Sequence, residues 1–125
     1  MIGLGLFAAA ALATGTAATA NPNTVSVELK NFKFSPPAVQ LRASIPVTLH
    51  LVNPSGSGHS FTAPKFFDAA RIDPRSAPLI RKGRIEVPAH STVAVSLTPA
   101  AGQYSLKCSH TLHSTLGMTG TIIVR

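Results

Sequence analysis

The sequence predicts an all-β fold, a Greek-key β-sandwich, and three observations carry that expectation. Short segments alternating apolar and polar residues recur along the chain, Pro and Gly punctuate them, and no helical period is long enough to build an α/β sheet. Alternation with a period of two puts one face of each strand in a core and the other in water. The 125 residues make one domain at most, which excludes multidomain enzymes and long repeat arrays.

Residues 1–20 stand apart from this pattern. They are uncharged and rich in alanine, with an apolar run Ile2–Ala13 and a small-x-small close, Ala18-Thr19-Ala20, before Asn21-Pro22. The run is shorter than the roughly 20 residues that cross a bilayer. It reads as a secretory signal, cleaved after residue 20, that delivers a domain of residues 21–125 to the periplasm or the cell exterior. No Lys or Arg precedes the run, so the n-region is expected upstream of residue 1. An uncleaved N-terminal anchor is the alternative.

The strands follow in order. Thr24–Lys30 places Val25, Val27 and Leu29 on one face, and Phe32 and Phe34 continue the period until Ser35-Pro36-Pro37 stops it. Val39–Leu41 is a short strand, and Pro46–Val52 a longer one with Val47, Leu49 and Leu51 inward and His50 at the surface. Asn53–Gly58 is a loop by its turn chemistry, after which His59–Ala63 is extended up to Pro64. Residues 65–84 form a short irregular or helical insertion, with a turn or two of helix over Phe66–Ile72 ended by Asp73-Pro74. Ile85–Val87, Thr92–Leu97, Tyr104–Cys108 and Thr119–Val124 complete the sandwich.

Charge narrows the function. The four acidic residues, Glu28, Asp68, Asp73 and Glu86, are too scattered for a paired-carboxylate active site. One cysteine excludes a disulfide framework and any Cys-x-x-Cys motif, and an unpaired thiol in an exported protein calls for an explanation. The net charge of +7 is densest over Arg71–Arg84 and suits steering of an acidic partner. Aromatic residues are few and not interleaved with the basic ones, which argues against nucleic acid.

The chemistry concentrates near the C-terminus. Cys108, His113 and Met118 stand at a C-x4-H-x4-M spacing, with His59 upstream at a loop–strand junction. Each alone has an ordinary structural explanation. Together a thiol, imidazoles and a thioether suit copper in a His₂Cys set with a weak axial Met. The cysteine ends one strand, the methionine opens the next, and the loop between returns His113 to the same point; a neighbouring strand supplies His59. His110 lies in the same loop, but one intervening residue is too short a path back to the metal. It is read as a surface or supporting residue, with a proton-linked or alternative-ligand role left open.

The stretch Tyr104–Cys108, His113 and Gly117-Met118-Thr119-Gly120-Thr121-Ile122-Ile123-Val124 resembles the cupredoxins, the small blue-copper proteins. Phe32-Lys33-Phe34-Ser35-Pro36 and Leu51-Val52-Asn53 leading to His59-Ser60-Phe61 extend the likeness over most of residues 21–125, with 64–84 its weakest part. The resemblance implies His59, Cys108 and His113 as equatorial copper ligands and Met118 as the axial one. Both loop lengths and Ser60 are similar to rusticyanin-type members. Ser60 is then expected to hydrogen-bond across to the ligand loop. The implied function is one-electron transfer with a redox partner protein, in a monomer that is not an enzyme and does not insert into a membrane. A periplasmic copper-binding or copper-delivery role is the alternative.

Overall fold

The computed structural model describes residues 23–110 and 117–125, so the leader expected at residues 1–20 lies outside the described residues. Among the described residues ten strands run in chain order as β1 (Thr24–Lys30), β2 (Lys33–Ser35), β3 (Ala38–Leu41), β4 (Val47–Asn53), β5 (His59–Thr62), β6 (Arg71–Ile72), β7 (Arg84–Val87), β8 (Ser91–Thr98), β9 (Gly102–Lys107) and β10 (Thr119–Val124). A short helix, α1 (Pro64–Ala69), follows β5, and a single 3₁₀ turn, Ala77–Leu79, precedes β7. They build two five-stranded sheets, β2-β1-β4-β8-β6 and β3-β10-β9-β5-β7. The pairs β1·β4 and β3·β10 are parallel; the rest are antiparallel. This is the sandwich the alternating pattern predicts.

The core lies between the sheets. Val27, Leu29, Leu49, Leu51 and Val95 enter it from one sheet, and Val39, Phe61, Ile85, Leu106 and Ile122 from the other, all at most 1% exposed. Because side chains alternate with a period of two, a one-residue slip of any strand would turn its buried set out to water. Edge-to-face aromatic contacts join Phe34 to Phe61 (6.2 Å), Phe61 to Phe67 (6.0 Å), Phe67 to Phe66 (5.2 Å) and Phe66 to Tyr104 (5.6 Å). Burial of each of the rings of Phe34, Phe61, Phe66 and Phe67 contributes about 1.5–3 kcal/mol. Phe61 therefore anchors β5 in the core two residues from His59.

The start of β10 demands a glycine. A Cβ on Gly120 would stand 2.7 Å from the Pro37 carbonyl oxygen, which accepts the Thr121 N–H at 2.9 Å. Only a residue without a side chain lets the two parallel backbones meet there.

The insertion differs from its expected boundaries. Its helix begins at Pro64 and ends at Ala69, rather than running over Phe66–Ile72. Proline at the first helical turn lacks only an N–H that has no intrahelical partner. Six residues are too few for a helix stable by itself, and packing of Phe66 and Phe67 into the core holds this one. Arg71 and Ile72 instead pair with Thr98 and Leu97 as an edge strand. Among the described residues no helix is long and apolar enough to cross a membrane.

Candidate metal centre

Three of the four residues singled out in the sequence converge at one end of the sandwich. Cys108 leaves β9 and Met118 precedes β10; the Cys108 N–H donates to the Met118 carbonyl at 3.1 Å and closes the base of the loop between them. On the other side, Lys107 lies opposite Thr62, so the antiparallel register brings β5 alongside. The Ser60 N–H thereby donates to Cys108 Sγ at 3.3 Å. Ser60 follows His59, and His59, Cys108 and Met118 are each 0% exposed. His113 lies outside the described residues.

The loop before β5 fixes the His59 ring. Ser55 Oγ lies 3.0 Å from His59 Nε2. Ser55 is itself held by Asn53 Oδ1, which accepts from the Ser55 N–H (2.9 Å) and hydroxyl (2.7 Å). Asn53 Nδ2 donates to the carbonyls of Ser57 (2.8 Å), Val87 (3.0 Å) and Pro88 (3.1 Å). One buried amide thus ties the end of β4, the His59 loop and the end of β7 together. A second brace comes from the turn at His90, exposed and with φ 55°, whose N–H donates to the Ser55 carbonyl at 3.1 Å.

Beside the cysteine, three hydroxyls meet. Ser60 Oγ accepts the Ser109 N–H at 2.8 Å and lies 3.0 Å from Ser109 Oγ, 2.9 Å from Thr62 Oγ1 and 3.8 Å from Cys108 Sγ. Thr62 donates to Ser109 Oγ at 3.1 Å. The link from Ser60 to the ligand loop expected from the sequence is present. His110 turns outward: Nε2 lies 2.8 Å from Glu86 Oε1, with about a third of its side chain exposed. It braces the loop against β7.

The donor chemistry fits copper. Among the described residues no three His, Cys, Asp or Glu side chains cluster; of the set expected from the sequence, His59 and Cys108 stand there with the Met118 thioether, and His113 lies outside the described residues. A buried sulfur that accepts a backbone N–H is stabilised as a metal-bound thiolate, and an imidazole with Nε2 engaged presents Nδ1 in a fixed orientation. Asn53, Ser55, Thr62, Ser109 and Glu86 are supporting residues that the motif spacing does not reveal. Asn53-Pro54-Ser55 carries a partial signal, since an Asn that captures the N–H two residues on makes an Asx turn.

A β-sandwich with a buried Cys, His and Met gathered at one end defines a class. The chain matches the family model of the cupredoxin-like domain over residues 3–124 and belongs to that family. No curated protein sequence matches it. Among solved structures, auracyanin B shares 20% identity at a TM-score of 0.59, covering 87% of this chain and 93% of its own. The dithionite-reduced auracyanin of Roseiflexus castenholzii shares 14% at 0.63, covering 85% and 99%. Auracyanin A of Chloroflexus aurantiacus, described as a blue copper protein, shares 22% at 0.54, covering 82% and 99%. Such likenesses establish the common fold.

Proposed function

We propose that this cupredoxin is an exported mononuclear type 1 copper protein that carries single electrons between redox partners, and that His59, Cys108, His113 and Met118 hold its metal. The observation that carries the reading is the buried Cys108 sulfur, which accepts the N–H of the residue next to His59 while the cysteine N–H is bonded to Met118. Copper, when bound, supplies a Cu(II)/Cu(I) couple. The residues of the chain determine how that couple behaves.

Their first contribution is rigidity. Asn53 and Ser55 orient the His59 ring, and the Cys108–Met118 bond fixes the two ends of the ligand loop. A donor set that cannot rearrange suits both oxidation states with little movement, which favours rapid exchange. The second contribution is electrostatic. The Ser60 N–H withdraws charge from the thiolate, and hydrogen bonding at the sulfur tunes the potential. The third is exclusion of water from His59, Cys108 and Met118. The net charge of +7 favours an acidic redox partner, and the auracyanin A likeness supports the blue-copper assignment. Residues 1–20 serve as the export signal to the periplasm or exterior, and the folded domain acts as a non-enzymatic monomer.

Titration of the metal-free protein with Cu(II) tests the reading. An intense thiolate-to-copper absorption toward the red end of the visible is expected, lost in Cys108→Ala. A protein that binds one Cu(I) tightly and hands it to an acceptor, yet shows no such band, is a copper-delivery protein instead.

A further inference from the structure

The basic residues that run together in sequence divide in space. Arg71 lies on β6 in the sheet that lacks Cys108, and Arg75 beyond it pairs with Asp73 at 3.6 Å. Arg81, Lys82 and Arg84 belong to the other sheet, at the mouth of β7. There Arg81 and Arg84 exchange backbone bonds (2.9 and 3.1 Å) across a two-residue turn in which Lys82 and Gly83 have φ 53° and 75°.

That turn rests on the helix that follows β5. A Cβ on Gly83 would stand 2.6 Å from Pro64 Cα, and the Gly83 carbonyl accepts the Ala63 N–H at 3.0 Å. Glycine is required both by the contact and by the left-handed conformation. The seating brings the turn to the start of α1, where Lys65 is exposed. A second juxtaposition comes from register: Thr62 lies opposite Arg84 on one side and Lys107 on the other. Directly opposed residues share a face, so Arg84 and Lys107 flank Thr62 on the outward face.

We infer that this flank, carrying Lys65, Arg81, Lys82, Arg84 and Lys107, is the docking face for an acidic redox partner; the inference rests on the electron-carrier reading above. All five cations are exposed. Two acids stand near them. Glu86 is engaged by Arg84 (3.5 Å) and His110 (2.8 Å), and Asp68 is on α1, one turn from Lys65. Arg81, Arg84 and Glu86 also line a groove of about 420 Å³ with Pro78, Leu79 and Ile85, and Leu79 is 40% exposed. Cations around an accessible apolar side chain suit an acidic protein surface with an apolar contact at its centre. Lys107 is peptide-bonded to Cys108, so a partner seated here comes within one residue of the sulfur.

The test compares copper-loaded K82E/K107E with K30E/K33E, an equal charge change on the β1–β2 hairpin of the opposite sheet. Reduction of the oxidised protein by hexacyanoferrate(II) moves one electron from iron to copper and serves as an anionic probe. At low salt the flank variant is expected to react about tenfold more slowly and to lose most of its salt dependence, with a much smaller effect in the hairpin variant. Equal slowing of both variants, or no slowing at the flank, overturns the inference. A wild-type protein that exchanges no electron defeats the electron-carrier reading instead. In that case amide shifts of the metal-free chain with polyglutamate decide: shifts gathered on Lys65, Lys82 and Lys107 sustain an acidic docking face, and shifts gathered elsewhere refute it.

Discussion

Replacing Asn53 by alanine probes how the fold creates the site. The side chain is 1% exposed and makes five hydrogen bonds, three donated by Nδ2 and two accepted by Oδ1. Two amide protons serve three carbonyls, so the donated set counts as about two full bonds. A typical bond contributes about 0.5–1.5 kcal/mol net, and a buried group left without its partner costs about 1–3 kcal/mol. Ser55 is part-exposed and recovers water bonds, whereas the Val87 carbonyl is in a buried pair. Asn53→Ala should therefore lose about 3 kcal/mol, and in a domain of this size the melting midpoint should fall by roughly 12 °C or more. Scanning calorimetry of metal-free protein measures it. Asn53→Asp sharpens the test, because the carboxylate keeps its hold on Ser55 but faces three carbonyls without a donor. It should be at least as unstable as the alanine variant. A loss under about 1 kcal/mol in Asn53→Ala, or a near-native Asn53→Asp, would refute the bracing role.

Other substitutions test neighbouring parts of the account. Gly120→Ala should cost about 2 kcal/mol or more by driving a Cβ to within 2.7 Å of the Pro37 carbonyl, read by urea unfolding; an unchanged midpoint would show that the β3–β10 contact is not close. Ser60→Ala strips the acceptor from the Ser109 N–H and should cost about 1–3 kcal/mol in metal-free protein while shifting the copper-loaded spectrum. Stability loss without a spectral shift would confine Ser60 to folding. Tyr104→Phe removes donation to the Ala100 carbonyl (2.9 Å) at the head of β9 and should cost about 1 kcal/mol with the spectrum unmoved.

How much of this was legible in the sequence depends on the range of the interactions. Strands such as Thr24–Lys30 and Thr119–Val124 show in a local period, because burial of one face imposes it. Arg71–Ile72 does not, since two residues become a strand only through pairing with Leu97 and Thr98, more than 20 positions away. The site divides likewise. Cys108 and Met118 sit on one loop and read as a motif. Asn53 reads as turn chemistry, yet its structural role comes from carbonyls 34 and 35 residues distant. Ser60 and Ser109, 49 apart, meet only because Thr62 and Lys107 are in register. Spacing finds donors that lie close in sequence, whereas topology selects the residues that hold them.

The central claim is that Cys108 is a copper-bound thiolate in a fixed type 1 site. Visible and EPR spectra of the stoichiometrically loaded domain test it most directly. The account predicts an intense band toward the red end of the visible with a narrow copper hyperfine splitting, abolished in Cys108→Ala and altered in Met118→Leu. A colourless protein with an ordinary tetragonal Cu(II) signal, unchanged by loss of Cys108, would contradict it.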